Sequence, residues 1–311
     1  MMLRALLVAA GLAVLVLLPL GLKSYGIYLL SLWALNTVAA MGLNLTVGQA
    51  GQVSLAQAAF VAIGAYTAAL LAPLGLGFWL ALPLAVGVAF AVGLVVGFPA
   101  LRVQHHHLAF VTLGFNALVI LVLRNEEWLT GGTYGISGIE RPDILGFSTF
   151  GALPFYYLCL GVLGAASLAM WWLLRSPWGR AFAGLRDNPL RAASLGVDVR
   201  AYTLLAFAIG SAYGGLSGAF LGPLVEYVDP TPFGLETSLA LLLMVVVGGA
   251  GSFWGPFLGA ALVTLLPEWL RVAEGFYLML YALLVMVLMI LCPSGLMGVL
   301  ERLAGRLRRA S

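Results

Sequence analysis

Apolar runs of membrane-spanning length follow one another along almost the whole chain, interrupted only by short clusters of charge, proline or glycine. A hydrocarbon core about 30 Å thick needs about 20 apolar residues per helical crossing. The runs fall at about 5–22, 25–47, 55–72, 79–99, 108–123, 154–174, 201–222, 237–250, 254–267 and 276–292. Of the 311 residues, 62% are hydrophobic and 9% charged, against about 45–50% and about 25% in soluble domains. One water-soluble core cannot hide that much apolar surface. The pattern predicts an all-α integral membrane protein, a single polytopic domain over residues 1–311. About ten transmembrane helices are expected, or eight if short segments re-enter. The first run follows Arg4 and lacks an Ala-x-Ala exit, so an uncleaved first helix is expected.

Charge placement sets the orientation. With the N-terminus in the cytoplasm, the inner segments hold Arg4, Arg102, Arg175, Arg180, Arg186, Arg191, Arg200, Arg302, Arg306, Arg308 and Arg309. The outer ones hold Lys23, Arg124, Arg141 and Arg271, so the split of basic residues is 11 to 4. Positive charge favours the cytoplasmic side, and an even number of spans returns the Arg-rich tail there. A bacterial-type plasma (inner) membrane with both termini cytoplasmic is the expected location.

Several chemistries are excluded by residue type. Lys23, the only lysine, follows Leu22, whereas a phosphate-binding P-loop needs Gly-Lys-Ser/Thr. Cys159 and Cys292 lie in apolar runs and give neither a disulfide framework nor metal spacing. His105, His106 and His107 are consecutive, so on a helix they cannot share one metal. Gly215-Leu216-Ser217-Gly218 matches an intramembrane serine-protease pattern, but no histidine follows position 107 to act as base. The excess of 15 basic over 12 acidic residues is too small to signal nucleic acid. The missing nucleophile–base pair disfavours an enzyme, and no metal or cofactor is expected on this chain.

Two glycine breaks interrupt the helical pattern, Val47-Gly48-Gln49-Ala50-Gly51-Gln52 and Val247-Gly248-Gly249-Ala250-Gly251-Ser252. They agree at four of six positions, a weak internal repeat with one copy in each half; chance similarity is the alternative, because glycine is common here. Glycine-broken hydrophobic segments in matching positions point to a transport pathway. Asn44, Gln49, Gln52, Ser54 and Gln57 cluster at the first break, and Asn116 lies on a later span. They are candidates to line a path for a neutral or zwitterionic solute, or to satisfy interhelical hydrogen bonds. Gly210, Gly214, Gly218 and Gly222 recur every four residues, as do Gly251, Gly255 and Gly259. Such stripes let another backbone approach closely, within the chain or in a second membrane subunit.

The loop 175–200 carries more than topology requires. Asn188 followed by Pro189 is a capping residue before a proline suited to the first helical position. Gly196 suits a left-handed stop. A short cytoplasmic helix at about 189–195 is expected, displaying Leu190 and Leu195 beside Arg191. It reads either as a solvated loop or as a docking surface for a soluble partner.

Four blocks in order give a family resemblance. They are Gly42-Leu-Asn44-Leu-Thr-Val-Gly48-Gln-Ala-Gly51-Gln-Val-Ser54-Leu-Ala-Gln57; Thr112-Leu-Gly-Phe with Thr130-Gly-Gly132-Thr-Tyr-Gly135; Gly179-Arg180-Ala with Arg186-Asp187-Asn188 and Ala193-Ser-Leu-Gly196; and Gly248-Gly249-Ala-Gly251-Ser-Phe-Trp-Gly255-Pro256. The chain resembles the membrane permease subunits of branched-chain amino-acid ABC importers, the LivH/LivM permease family, and is more similar to the LivM type. The resemblance implies a second homologous permease subunit, two cytoplasmic P-loop ATPase subunits carrying ATP and magnesium, and an extracytoplasmic solute-binding protein. It implies that the 175–200 loop is a coupling helix, with Arg180, Arg186, Asp187, Asn188, Pro189, Arg191 and Gly196 transmitting the ATPase stroke. The likeness to the Glu-Ala-Ala loop of other importers is loose, since Arg191 stands where the Glu would be. Family members also carry amides or urea, so the exact solute stays open. Rival expectations are a self-sufficient secondary carrier or a channel for a small neutral solute. The near absence of ionisable groups inside the spans counts against the carrier.

Overall fold

The computed structural model describes residues 11, 13–72, 77–101, 105–143 and 149–270, with 279, 282, 283, 286, 287, 290, 295–299 and 302 beyond them; for 105–107 it describes the backbone alone. Eight of the ten expected runs appear as helices. They are α1 Ser24–Leu43, α2 Gln57–Leu71, α3 Phe78–Ala100, α4 His105–Asn125, α5 Ala152–Arg175, α8 Val199–Val225, α9 Leu235–Gly248 and α10 Gly255–Leu270. Two short helices, α6 Pro177–Asp187 and α7 Pro189–Ser194, lie between α5 and α8. Residues 5–10 and 12 of the first run and most of the run at 276–292 lie outside the described residues, as do Cys292, the three histidine side chains, Arg102, Arg271, Arg306, Arg308 and Arg309.

Five helical stretches are long and apolar enough to cross a membrane: Ser24–Gln49, Phe78–Ala100, Leu108–Asn125, Ala152–Arg175 and Val199–Val225. The helices α2, α9 and α10 have 15, 14 and 16 residues. At 1.5 Å per residue each is about 21–24 Å long, short of the hydrocarbon thickness of about 30 Å. Each is joined to a non-helical stretch.

The helices α1 and α8 form the centre. The most apolar windows of the stretches containing them are 72% and 61% buried, against 28% for α3, α4 and α5. The outer helices present Leu80, Leu84, Val95, Phe110, Leu118, Leu168 and Trp172 on their exposed faces, as expected of surfaces bathed in hydrocarbon, where apolar exposure costs nothing. The inner packing is backbone against backbone. A Cβ at Gly64 on α2 would overlap the backbone of Gly215 on α8, and one at Gly218 would overlap the carbonyl of Val61. Helices this close gain dispersion contacts and admit side-chain hydrogen bonds to backbone, the main adhesive terms once the hydrophobic effect is absent. Ser217 on α8 donates to the Leu35 carbonyl on α1 at 2.8 Å, and Trp33 on α1 donates to the Phe257 carbonyl on α10 at 3.2 Å. Tyr213 on α8 donates to the Ala166 carbonyl on α5 at 2.8 Å.

At the Val225 end of α8 the chain forms a small two-stranded sheet. Strand β1 (Ile136–Ser137) pairs antiparallel with β2 (Tyr227–Val228), with Ile136 opposite Val228. Thr130 ties the preceding turn, donating to the carbonyls of Leu123 and Glu126 and accepting from the Gly132 N–H. Arg141 pairs with Glu226 at 3.2 Å, donates to the Phe150 carbonyl at 2.8 Å, and lies over the Phe155 ring at 5.2 Å.

Candidate coupling and translocation site

The opposite end of α8 holds the site. Helix α1 does not end cleanly at Leu43. It widens over Asn44–Gln49 into a π-type turn, in which the Ala50 N–H reaches back to the Leu45 carbonyl at 3.0 Å. Such a turn inserts an extra residue and shifts the side-chain register, and is common at functional sites. Gly51 then takes φ +71°, and an irregular stretch leads to α2. The second break behaves alike: α9 ends at Gly248, Gly251 takes φ +82°, and α10 starts at Gly255.

The two breaks are in contact. The Asn44 side chain donates to the Ser252 carbonyl at 2.9 Å and accepts from the Gly251 N–H at 2.8 Å. Gln49 donates to the Gly251 carbonyl at 2.5 Å. A Cβ on Gly48 would overlap the Gly251 backbone, so glycine here is required by the approach of the two chains. Backbone groups freed where helices end must find partners inside a membrane, and the amides of Asn44 and Gln49 provide them.

The other polar side chains divide by what they touch. Gln57, at the start of α2, donates to the carbonyls of Ala39 on α1 and Gly210 on α8 at 2.9 and 3.1 Å, bridging three helices. Ser54 accepts from the Ala56 N–H at 3.3 Å. Thr112 on α4 accepts from the Leu55 N–H at 2.9 Å, and Ser238 on α9 accepts from the Ala58 N–H at 3.2 Å. Asn116 stands apart from the breaks, one turn beyond Thr112 on α4. The amide oxygens of Gln52 and Asn116 are buried and have no hydrogen-bond partner among the described residues. Buried polar groups are normally paired, so these two have capacity for a water or solute donor. The glycine stripes are occupied within the chain: Gly210 faces Gly42 and Thr46, Gly214 faces Phe60, and Gly222 faces Val228 and Ile139. Gly255 and Gly259 face the Gly249 and Met244 carbonyls in the α9–α10 hairpin.

Beside the breaks lie α6 and α7. Ser176 caps α6 by accepting from the Trp178 N–H at 3.1 Å, with Pro177 in the first turn. Gly179, Ala181, Phe182 and Leu185 bury one face of α6, and the Phe182 ring meets Tyr202 of α8 edge-on. Asn188 caps α7 by accepting from the Arg191 N–H at 3.0 Å. Gly196 takes φ +86°, closing the short helix. Asp198 then caps α8 from the Arg200 and Ala201 N–H groups. Leu190 and Leu195 are 83% and 84% exposed, while Ala192 turns inward toward Gly184. Arg180, Arg186, Asp187 and Arg191 are exposed. Reading the sequence missed α6, although Ser176-Pro177 carries the same cap-then-proline signal as Asn188-Pro189. It also missed Ser238 and Ser252, whose roles depend on which backbone they meet.

A glycine-packed, all-helical membrane body with two broken helices meeting beside a capped, exposed helix is the build of a polytopic transport subunit. The chain belongs to the family described as branched-chain amino acid transport system / permease component, whose model matches residues 25–293. It is 37% identical over 284 residues to the high-affinity branched-chain amino acid transport system permease protein LivM of Escherichia coli (strain K12), covering 84% of this chain and 67% of that protein. It is 27% identical over 285 residues to the probable branched-chain amino acid transport permease protein LivH of Methanocaldococcus jannaschii, covering 84% and 87%. It is 30% identical over 176 residues to the autoinducer 2 import system permease protein LsrC of Klebsiella pneumoniae, covering 55% and 48%. No solved structure matches the chain.

Proposed function

We propose that this permease subunit translocates branched-chain or related neutral amino acids by alternating access, powered by ATP hydrolysis on partner chains. In this reading it pairs with a second homologous permease, two cytoplasmic P-loop ATPases that bind ATP and magnesium, and an extracytoplasmic solute-binding protein. The chain sits in a bacterial-type inner membrane with both termini cytoplasmic, which puts 175–200 on the ATPase side. Arg180, Arg186, Asp187, Asn188, Pro189, Arg191 and Gly196 form the coupling segment. Asn44, Gln49, Gln52, Ser54, Gln57 and Asn116 are the candidates for the path.

The observation that carries the proposal is α7. A six-residue helix, capped at its start and closed by a left-handed glycine, carries one leucine and is followed by another, both more than four-fifths exposed, outside the span-length helices. Exposed leucines on a fixed helix fit a groove in a partner. A gradient-driven carrier is disfavoured by the absence of any buried Asp, Glu, Lys or Arg among the described residues.

Two experiments test this. Mild-detergent purification of the tagged chain, co-expressed with its genomic neighbours, is expected to retain a P-loop ATPase and a second permease in stoichiometric amounts. A chain that stays alone yet moves solute in liposomes without ATP refutes the proposal. Asp187→Arg combined with Arg191→Glu is expected to abolish uptake of radiolabelled leucine with membrane insertion intact. Normal uptake would remove the coupling role from this segment.

A further inference from the structure

Arg186 is the last arginine of α6, and it lies on both glycine breaks. A Cβ at Gly251 would overlap the Arg186 guanidinium, and a Cβ at Gly51 would sit 3.5 Å from the Arg186 Cα and 3.9 Å from its Cβ and Cγ. The backbone of Arg186 therefore rests on the first break while its head rests on the second. Among the described residues it makes no ion pair. Arg186 is solvent-exposed, as Arg180 and Arg191 are, but its contacts set it apart. This one is laid across two glycines in left-handed conformation, φ +71° and +82°, whose missing side chains make the contact available.

Its mounting is rigid on both sides. The buried face of α6, Phe182 and Leu185 above all, fixes the helix to the bundle. Two residues later Asn188 caps α7, so α7 follows directly on the helix that carries Arg186. Asn44 and Gln49 already join the breaks to each other.

We propose that Arg186 is a positioning residue, a tie that makes α7 and the two glycine breaks move as one body, so that displacement of the exposed helix opens both broken helices together. This rests on the importer reading and adds to it the route by which motion enters the membrane. Packing alone would let α6 slide over the breaks, whereas an arginine with its Cα against one break and its guanidinium against the other resists that movement.

The test uses the complete importer in lipid nanodiscs and proteoliposomes, wild type beside Arg186→Ala and Arg186→Lys. ATPase subunits are expected to co-purify stoichiometrically with all three. ATP consumed per leucine transported is expected to rise at least tenfold in Arg186→Ala, with Arg186→Lys recovering a substantial part. A second readout is maleimide labelling of Ser252→Cys at the second break. Its rate is expected to change on adding ATP when Arg186 is present, and to be insensitive to ATP in Arg186→Ala. A structural defect alone would alter labelling equally with and without ATP. An unchanged ATP-to-leucine ratio, or an ATP-dependent labelling change that persists in Arg186→Ala, overturns the tie alone. Loss of the ATPases from Arg186→Ala also overturns it, by making Arg186 a docking residue. A wild-type complex without any ATPase overturns the importer reading, and the tie with it.

Discussion

Asn44 and Gly251, 207 residues apart in the chain, are joined by a hydrogen bond in which the Gly251 N–H donates to the Asn44 side-chain oxygen at 2.8 Å. The same amide donates to the next carbonyl, that of Ser252, at 2.9 Å. One side chain thus meets the backbone of two successive residues of a broken segment. Such a pair is geometrically selective, since it needs a donor and an acceptor side by side on one planar group.

Replacing Asn44 tests how much this clamp holds. Asn44→Leu leaves the Gly251 N–H and Ser252 carbonyl without their partners, at a cost of about 1–3 kcal/mol per unsatisfied buried group. The expected outcome is a lower melting temperature in detergent, followed by tryptophan fluorescence. Asn44→Asp retains the acceptor and is expected to lose less stability than Asn44→Leu where the carboxyl is protonated. Equal stability of Asn44→Leu and wild type would show that the breaks do not depend on the clamp.

Glycine substitutions separate contact from open space. Gly218→Ala would drive a methyl into the Val61 backbone, and two packed helices cannot part at one point without losing contacts along their length. Monodisperse protein is expected to be lost. A Cβ at Gly114 or Gly161 meets nothing within 4 Å, and alanine favours the helix by about 0.5–1 kcal/mol. Gly114→Ala and Gly161→Ala should therefore be neutral or stabilising by size-exclusion yield and melting temperature.

The exposed helix separates folding from docking. Asn188→Ala removes a cap worth about 1 kcal/mol, which in a six-residue helix is enough to fray it. Leu190→Asp leaves the cap in place and the residue in solvent. Both variants are expected to reach the membrane in normal amounts and to retain less co-purifying ATPase, Leu190→Asp the more severely. Normal retention by Leu190→Asp would place the docking contact elsewhere.

At the other end, Arg141 and Glu226 make an unequal pair. Their side chains are 15% and 59% exposed, and an ion pair with one exposed partner is worth about 0–1 kcal/mol. Glu226→Gln should barely change stability. Arg141→Ala also removes the bond to the Phe150 carbonyl and the contact with the Phe155 ring, so its melting temperature should fall further. Glu226 itself sits at φ +62°, a conformation that glycine adopts without strain. Glu226→Gly is therefore expected to match or exceed the wild type in stability.

Much of this was legible in the residues. Long apolar runs give helices in membrane because the backbone has no other donor or acceptor there, and eight of the ten runs are helices within one to four residues of their expected bounds. Asn188-Pro189 and Gly196 gave α7 because capping is local: a side chain meeting an N–H three residues on depends on nothing distant. Ser176-Pro177 carried the same local signal for α6. The glycine stripes marked where helices approach closely, although not which helices approach.

Partnership is what the chain in one dimension could not hold. Asn44, Gln49 and Gln57 look alike as polar residues near a break, yet two clasp the second break and one bridges α1 and α8. Arg186 reads as one of several loop arginines until α6 folds and lays it across Gly51 and Gly251. Periodicity and capping depend on neighbours within a turn or two, so sequence determines them. Contacts between segments some two hundred residues apart depend on how whole helices cross, and only the packed bundle decides that.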